Sequence, residues 1–114
     1  MLLKINRITK KQDFNKTFKE GKGFSGDFLF LKILKNNTKV SRFGFVISRK
    51  VSKKSTIRNK IKRRLSEIIK LKLPEIKKGL DIIFVAKQNL ENQDFKKTGE
   101  ILEKILKMAR LIQK

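Results

Sequence analysis

Sixteen consecutive residues, Arg49 to Arg64, carry nine lysines and arginines and no acidic side chain. Like charges so closely packed oppose compaction, so any fold this chain adopts must hold the run at its surface. The run is not uniformly polar, however. Val51, Ile57 and Ile61 punctuate it and Leu65 follows it, and the last three recur every four residues, the spacing that lines one face of a helix. The pattern predicts a basic loop feeding a helix that is anchored on its apolar side and cationic on the other. A polyanion is the ligand such a surface suits, and nucleic acid foremost.

The whole chain leans the same way. Its 31 Lys and Arg against 10 Asp and Glu give a net charge of +21, and that self-repulsion favours a bound polyanion. With 114 residues, 39% of them hydrophobic, the chain is expected to form a single polyanion-binding domain spanning residues 1–114 with a modest core, for which nucleic acid, an anionic membrane surface or acidic proteins could each serve as partner. No apolar run reaches membrane-spanning length, and Met1–Lys10 lacks the apolar centre of a signal peptide. The absence of Cys suits a reducing cytoplasm, and no membrane partner is expected. Without His, imidazole acid–base catalysis and His-ligated zinc are excluded.

Along the chain, Thr9-Lys10-Lys11-Gln12 fits a capping box and Gly21 a helix stop. Phe14 and Phe18 then share one face of the first helix, either as core anchors or as a platform on which a base stacks. Gly21 and Gly23 break the chain. Phe28 to Leu34 predicts a strand, and Val40 to Ile47 a second, antiparallel to it through a short loop at Asn36-Asn37. Gly44 within that strand signals a bulge or a close backbone approach.

Ser55 or Thr56 caps the central helix, which ends before Pro74, the only proline. Ile57, Ile61, Leu65, Ile68 and Ile69 form its buried stripe. Asn59, Lys62, Arg63, Ser66 and Lys70 face away, and Arg58 stands at the margin, in position to reach back along the sheet. Ile82 to Ala86 predicts a buried strand after a turn at Lys77-Lys78-Gly79. A last helix opens at Asn92 or Asp94 and lays Phe95, Ile101, Leu102, Ile105, Leu106, Ala109 and Ile112 on the sheet. The result is an α+β sandwich.

Bond chemistry by the chain itself is not expected. Its ten carboxylates are scattered, none spaced as in a metal motif, and there is no P-loop or nucleophile elbow. Phosphate binding is well provided for. Lysines act as point charges, whereas Arg58, Arg63 and Arg64 suit bidentate phosphate contacts or base stacking. Asn59 adds a donor and an acceptor for a base edge or ribose hydroxyl.

Arg58-Asn59-Lys60-Ile61-Lys62-Arg63 resembles the Arg-Asn-Arg motif of the bacterial ribonuclease P protein subunit. The preceding strand, Gly44-Phe45-Val46-Ile47-Ser48-Arg49-Lys50, resembles the family's strand ending, as do Arg7, Asp13-Phe14, Phe18, Gly21, Asp81 and Ile82–Ala86 in order along the chain. Lys60 stands where arginine is commoner, Ser55 where a small apolar residue is usual, and Ser66 where arginine is frequent.

The resemblance implies the order αβββαβα with a small mixed, mostly antiparallel sheet. That fold is like the second domain of a ribosomal small-subunit protein, with a left-handed βαβ crossover. It further implies a subunit of an endoribonuclease whose catalysis, dependent on Mg2+ bound mainly by RNA, belongs to a partner RNA that removes the 5′ leader of precursor tRNA. The protein would broaden specificity and support activity at low magnesium, in the cytoplasm and with no obligate protein partner. Arg49, Lys50, Lys53, Lys54, Arg58, Asn59, Lys60, Lys62, Arg63 and Arg64 would contact the catalytic RNA. Phe14 and Phe18 on the first helix, with Phe28 and Phe30 on the sheet, would wall a cleft for the leader. A ribosomal protein or a general RNA chaperone would share the charge, size and architecture.

Overall fold

The computed structural model describes residues 2–112. Three helices, α1 (Lys11–Glu20), α2 (Ser55–Lys72) and α3 (Phe95–Met108), pack on four strands, β1 (Lys22–Ser25), β2 (Leu29–Lys35), β3 (Arg42–Val46) and β4 (Leu80–Ala86). The element order is therefore αβββαβα. The sheet order is β1-β2-β4-β3, with β1–β2 and β2–β4 antiparallel and β3–β4 parallel.

The last strand in sequence lies inside the sheet, and its composition explains why. Ile82, Ile83 and Phe84 are all fully buried. A continuous apolar run is what a strand covered on both faces requires. Leu31, Phe84 and Phe45 share a register row facing the core, as do Ile33, Ile82 and Phe43. There they meet Ile61, Leu65, Ile68 and Ile69 of α2 and Ile101, Leu102, Ile105 and Leu106 of α3. Each such side chain contributes about 1.5–3 kcal/mol of burial.

The insertion of β4 corrects the expected hairpin. Strands β2 and β3 run in opposite directions but do not pair. The loop at residues 36–41 steps across β4, and Asn36 shapes it. Its Nδ2 donates to Val40 O at 3.0 Å and to Asp81 Oδ1 at 2.9 Å, while its Oδ1 accepts from Thr38 N at 2.8 Å. A further strand stands where the two glycines predicted only a break. In β1, a Cβ on Gly23 would lie 2.8 Å from the Phe30 ring. This glycine makes room for an aromatic on the adjacent strand and does not interrupt the chain.

Helix ends also differ in detail from their sequence signals. Neither the Thr9 capping box nor a Ser55/Thr56 cap forms: the residues before α1 and α2 are Lys10 and Lys54, with no side-chain cap. Gly21 does end α1, though with ordinary extended backbone. Its need for glycine is steric, since a Cβ there would lie 2.4 Å from Thr17 O and 3.0 Å from Ile33 O. Asp94 caps α3 as expected, its carboxylate accepting from Lys97 N at 2.7 Å. Ile112 is buried, but in a bend beyond the end of α3.

Candidate RNA interface

Helix α1 crosses one face of the sheet and leaves part of it open. The face is built from register rows. Arg42, Asp81 and Leu34 form one, Gly44, Ile83, Lys32 and Gly23 the next, and Val46, Val85, Phe30 and Ser25 the last. Arg42 holds α1 above the first row by donating to Asp81 below and to Asp13 of α1 at 3.2 Å. The bond to Asp81 raises the Arg42 pKa above its ordinary value, against the opposing effect of burial. Phe14 settles over Gly44, where a Cβ would meet its ring at 3.3 Å. This is the close approach that a glycine in mid-strand predicts. Phe14 and Phe18 stack with ring centres 6.2 Å apart and planes 7° apart. Phe18 is 44% exposed, so the pair is half anchor and half open aromatic surface. In the uncovered row, Phe30 is part-buried with Lys32 Nζ 5.9 Å from its ring centre.

Phe28 lies elsewhere. It adopts a left-handed conformation (φ 63°) just before β2 and packs toward the core. There it lines a pocket with Ile101, Ile105 and Met108 of α3. The structure thus brings Phe14, Phe18 and Phe30 to one face and leaves Phe28 out.

The basic loop before α2 is ordered by its own polar groups. Val51 is buried as its anchor, and Ser52 Oγ accepts from Lys54 N at 3.2 Å. Arg58 Nη1 donates to Ser52 O and Lys53 O at 2.9 and 3.0 Å. This arginine reaches back to the loop, where it fixes the path of Arg49, Lys50, Lys53 and Lys54, all of them exposed. Arg64 is tied as well, donating to Gln93 O at 2.5 Å, which pins α2 to the segment entering α3. Asn59, Lys60, Lys62 and Arg63 remain exposed on the outer surface of α2.

A cleft of about 750 Å³ joins the two surfaces that the sequence treats separately. Asn59, Lys62, Arg63 and Ser66 of α2 line one side and Phe14 the other, with Phe43, Gly44 and Phe45 of β3 between them. Arg7, Ile8 and Thr9 close one end. They are held there because Ile8 N donates to Phe43 O at 3.0 Å, extending the sheet past β3. Ser66, expected on the outward face, is 7% exposed. It sits in the wall of this cleft, where a small side chain leaves space. Of the cleft residues, Ile8 carries no signal in the sequence alone, and Thr9, Phe45 and Thr56 carry none for a shared site, since only the fold brings the segment before α1, β3 and α2 together.

This constellation of ordered cations, an aromatic pair and a groove between them defines a basic RNA-binding α+β domain. The profile of the Ribonuclease P family matches residues 2–110, and the chain belongs to that family. A ribonuclease P protein component from Clostridium botulinum (strain Langeland) is 38% identical over 108 residues, covering 94% of this chain and 96% of that relative. A Staphylococcus aureus RNase P protein mutant with defective mRNA degradation activity superimposes with a TM-score of 0.88 at 29% identity, covering 96% of this chain and 92% of that one. The Thermotoga maritima RNase P protein gives 0.81 at 35% identity, covering 90% and 96%. Membership implies a part in tRNA 5′ processing, and it selects one of the three readings that charge and architecture left open.

Proposed function

We propose that this chain binds both the catalytic RNA of ribonuclease P and the 5′ leader of precursor tRNA, and so assists RNA-catalysed, magnesium-dependent removal of the leader. The observation that carries the reading is the shared cleft: Phe14 stands across it from Asn59, Lys62 and Arg63. A strand entering along the open row at Phe30 would run past Phe18 and Phe14, its bases against aromatic surface. It would then emerge beside the cations of α2. Those cations, with the loop from Arg49 to Lys54, neutralise phosphates where two RNAs approach each other. Added positive charge of this kind lowers the magnesium needed for the RNAs to associate, and a grip on the leader widens the range of precursors accepted.

Among the described residues, no three of His, Cys, Asp or Glu gather as a metal site requires. In this reading magnesium is held mainly by the RNA and the substrate. No described helix is long and apolar enough to cross a membrane, and the cytoplasm, where precursor tRNA is made, is the proposed location. The test is cleavage of precursor tRNA by the cognate catalytic RNA at low magnesium, with and without the protein. Faster cleavage with the protein is the expected result. Equal rates would overturn the proposal.

A further inference from the structure

Helix α2 exposes a second stripe, turned away from the cleft. Lys60, Arg63, Arg64 and Glu67 border a shallow depression of about 430 Å³, and the aromatic beside them is Phe95. The apolar pattern of α3 places Phe95 on the sheet, yet its residue is 49% exposed. A single exposed apolar side chain is ordinary. This one is distinguished by its setting, because three cations share its depression and the backbone that carries it is anchored beside them. Arg64 Nη1 bonds the carbonyl of Gln93, two residues before Phe95. Asp94 caps the helix that Phe95 begins, accepting from Lys97 N, and Thr98 Oγ1 returns a bond to Asp94 O at 2.7 Å. The backbone that carries the ring is therefore tied to α2.

Resting on the RNA-binding reading above, we infer that Phe95 is a stacking site for one unpaired nucleotide of a bound RNA. The flanking phosphates of that nucleotide lie along Lys60 and Arg63. A flat apolar face rimmed by cations suits a nucleobase whose own chain is anionic. Arg63 borders both the cleft and this depression, so one strand can cross the ridge of α2 from one side to the other. The ligand class is single-stranded RNA, because paired bases do not offer a free face.

The chain has no tryptophan and no tyrosine, so the variant Phe95→Trp carries a single indole at the position in question. Its emission is read while the full-length protein is titrated with single-stranded oligoadenylate, with a duplex of equal length, and with the cognate catalytic RNA. Binding is followed independently by the anisotropy of labelled RNA. Quenching by the single strand and the catalytic RNA, and not by the duplex, is expected. The variant Phe95→Leu keeps an apolar side chain but no aromatic face. It is expected to bind both RNAs about tenfold more weakly, with an unchanged thermal melting curve. RNA binding without change in indole emission, or equal affinity for Phe95→Leu and the parent, overturns the inference and leaves the RNA-binding reading standing. No RNA binding by the parent protein in the anisotropy assay would instead overturn that reading.

Discussion

Arg42 grips Asp81 through a fork, Nε to Oδ1 at 2.7 Å and Nη2 to Oδ2 at 2.6 Å. The same guanidinium reaches Asp13 of α1 through Nη1. The Asp81 side chain is only 5% exposed, so removal of its partner leaves a nearly buried carboxylate with the Asn36 amide as its remaining donor. Arg42→Ala is expected to cost about 3 kcal/mol, read as a lower urea midpoint. Arg42→Lys should recover only part of it, because an ammonium cannot reproduce the two-bond fork.

Two glycines should respond to alanine in opposite senses. At Gly21 a Cβ meets backbone oxygens of Thr17 and Ile33. Backbone cannot turn aside as a side chain can, so Gly21→Ala should destabilise by about 2 kcal/mol or more. Nothing lies within 4 Å of a Cβ at Gly99, inside α3. There alanine should stabilise by about 0.5–1 kcal/mol through helix propensity. Thermal unfolding of the two variants side by side checks both signs.

Phe14→Ala removes the ring that covers Gly44 and stacks on Phe18. If that ring contacts the leader, affinity for leader-bearing precursor should fall by about tenfold while affinity for mature tRNA changes much less. Filter binding with the two RNAs makes the comparison. Equal losses would assign Phe14 to packing alone.

Exposed cations on α2 should reveal themselves through ionic strength. A cation that neutralises one phosphate adds about 1 to the slope of log affinity against log salt, and its removal takes that amount away. Lys62→Ala and Arg63→Ala should each flatten the slope in this way. Arg64→Ala should alter the slope less and stability more, since its guanidinium is already bonded to Gln93 O.

Glu103 ties α3 to α2 by accepting from Lys72 at 2.9 Å. That bond, then the charges of Lys72 and Lys107, hold its pKa below the ordinary carboxylate range. A carboxylate lowered on folding adds stability that is complete above its unfolded pKa and is lost as pH falls through the folded one. Glu103→Gln should therefore show a shallower loss of stability on acidification than the parent. The difference should shrink in high salt, because the group is at the surface.

Features encoded in contiguous residues were legible in the sequence. The stripe Ile61, Leu65, Ile68 and Ile69, the buried run Ile82 to Phe84 and the Asp94 cap each depend on neighbours a few positions away. Strand order does not, and the loop at residues 36–41 looks locally like a hairpin although it passes over β4. Phe28 and Phe30 are two residues apart, which in a continuous strand would place them on one face. The left-handed backbone at Phe28 breaks that parity. Ser66 and Phe95 mislead for a related reason: periodicity tells which side of a helix is apolar, not what the neighbouring segments cover.

The position of β4 also sets an order of assembly. It is an inner strand and the last one made, and β3 reaches the rest of the sheet only through it. Phe43 pairs with Ile82, 39 residues further along, so the sheet cannot close until the whole of α2 has left the ribosome. During synthesis the cationic helix is thus available to polyanions before its apolar stripe has a sheet to rest on. An RNA strand that met it then would act as a template for folding as well as a ligand, and charge repulsion would be relieved at the stage when the chain has least to oppose it.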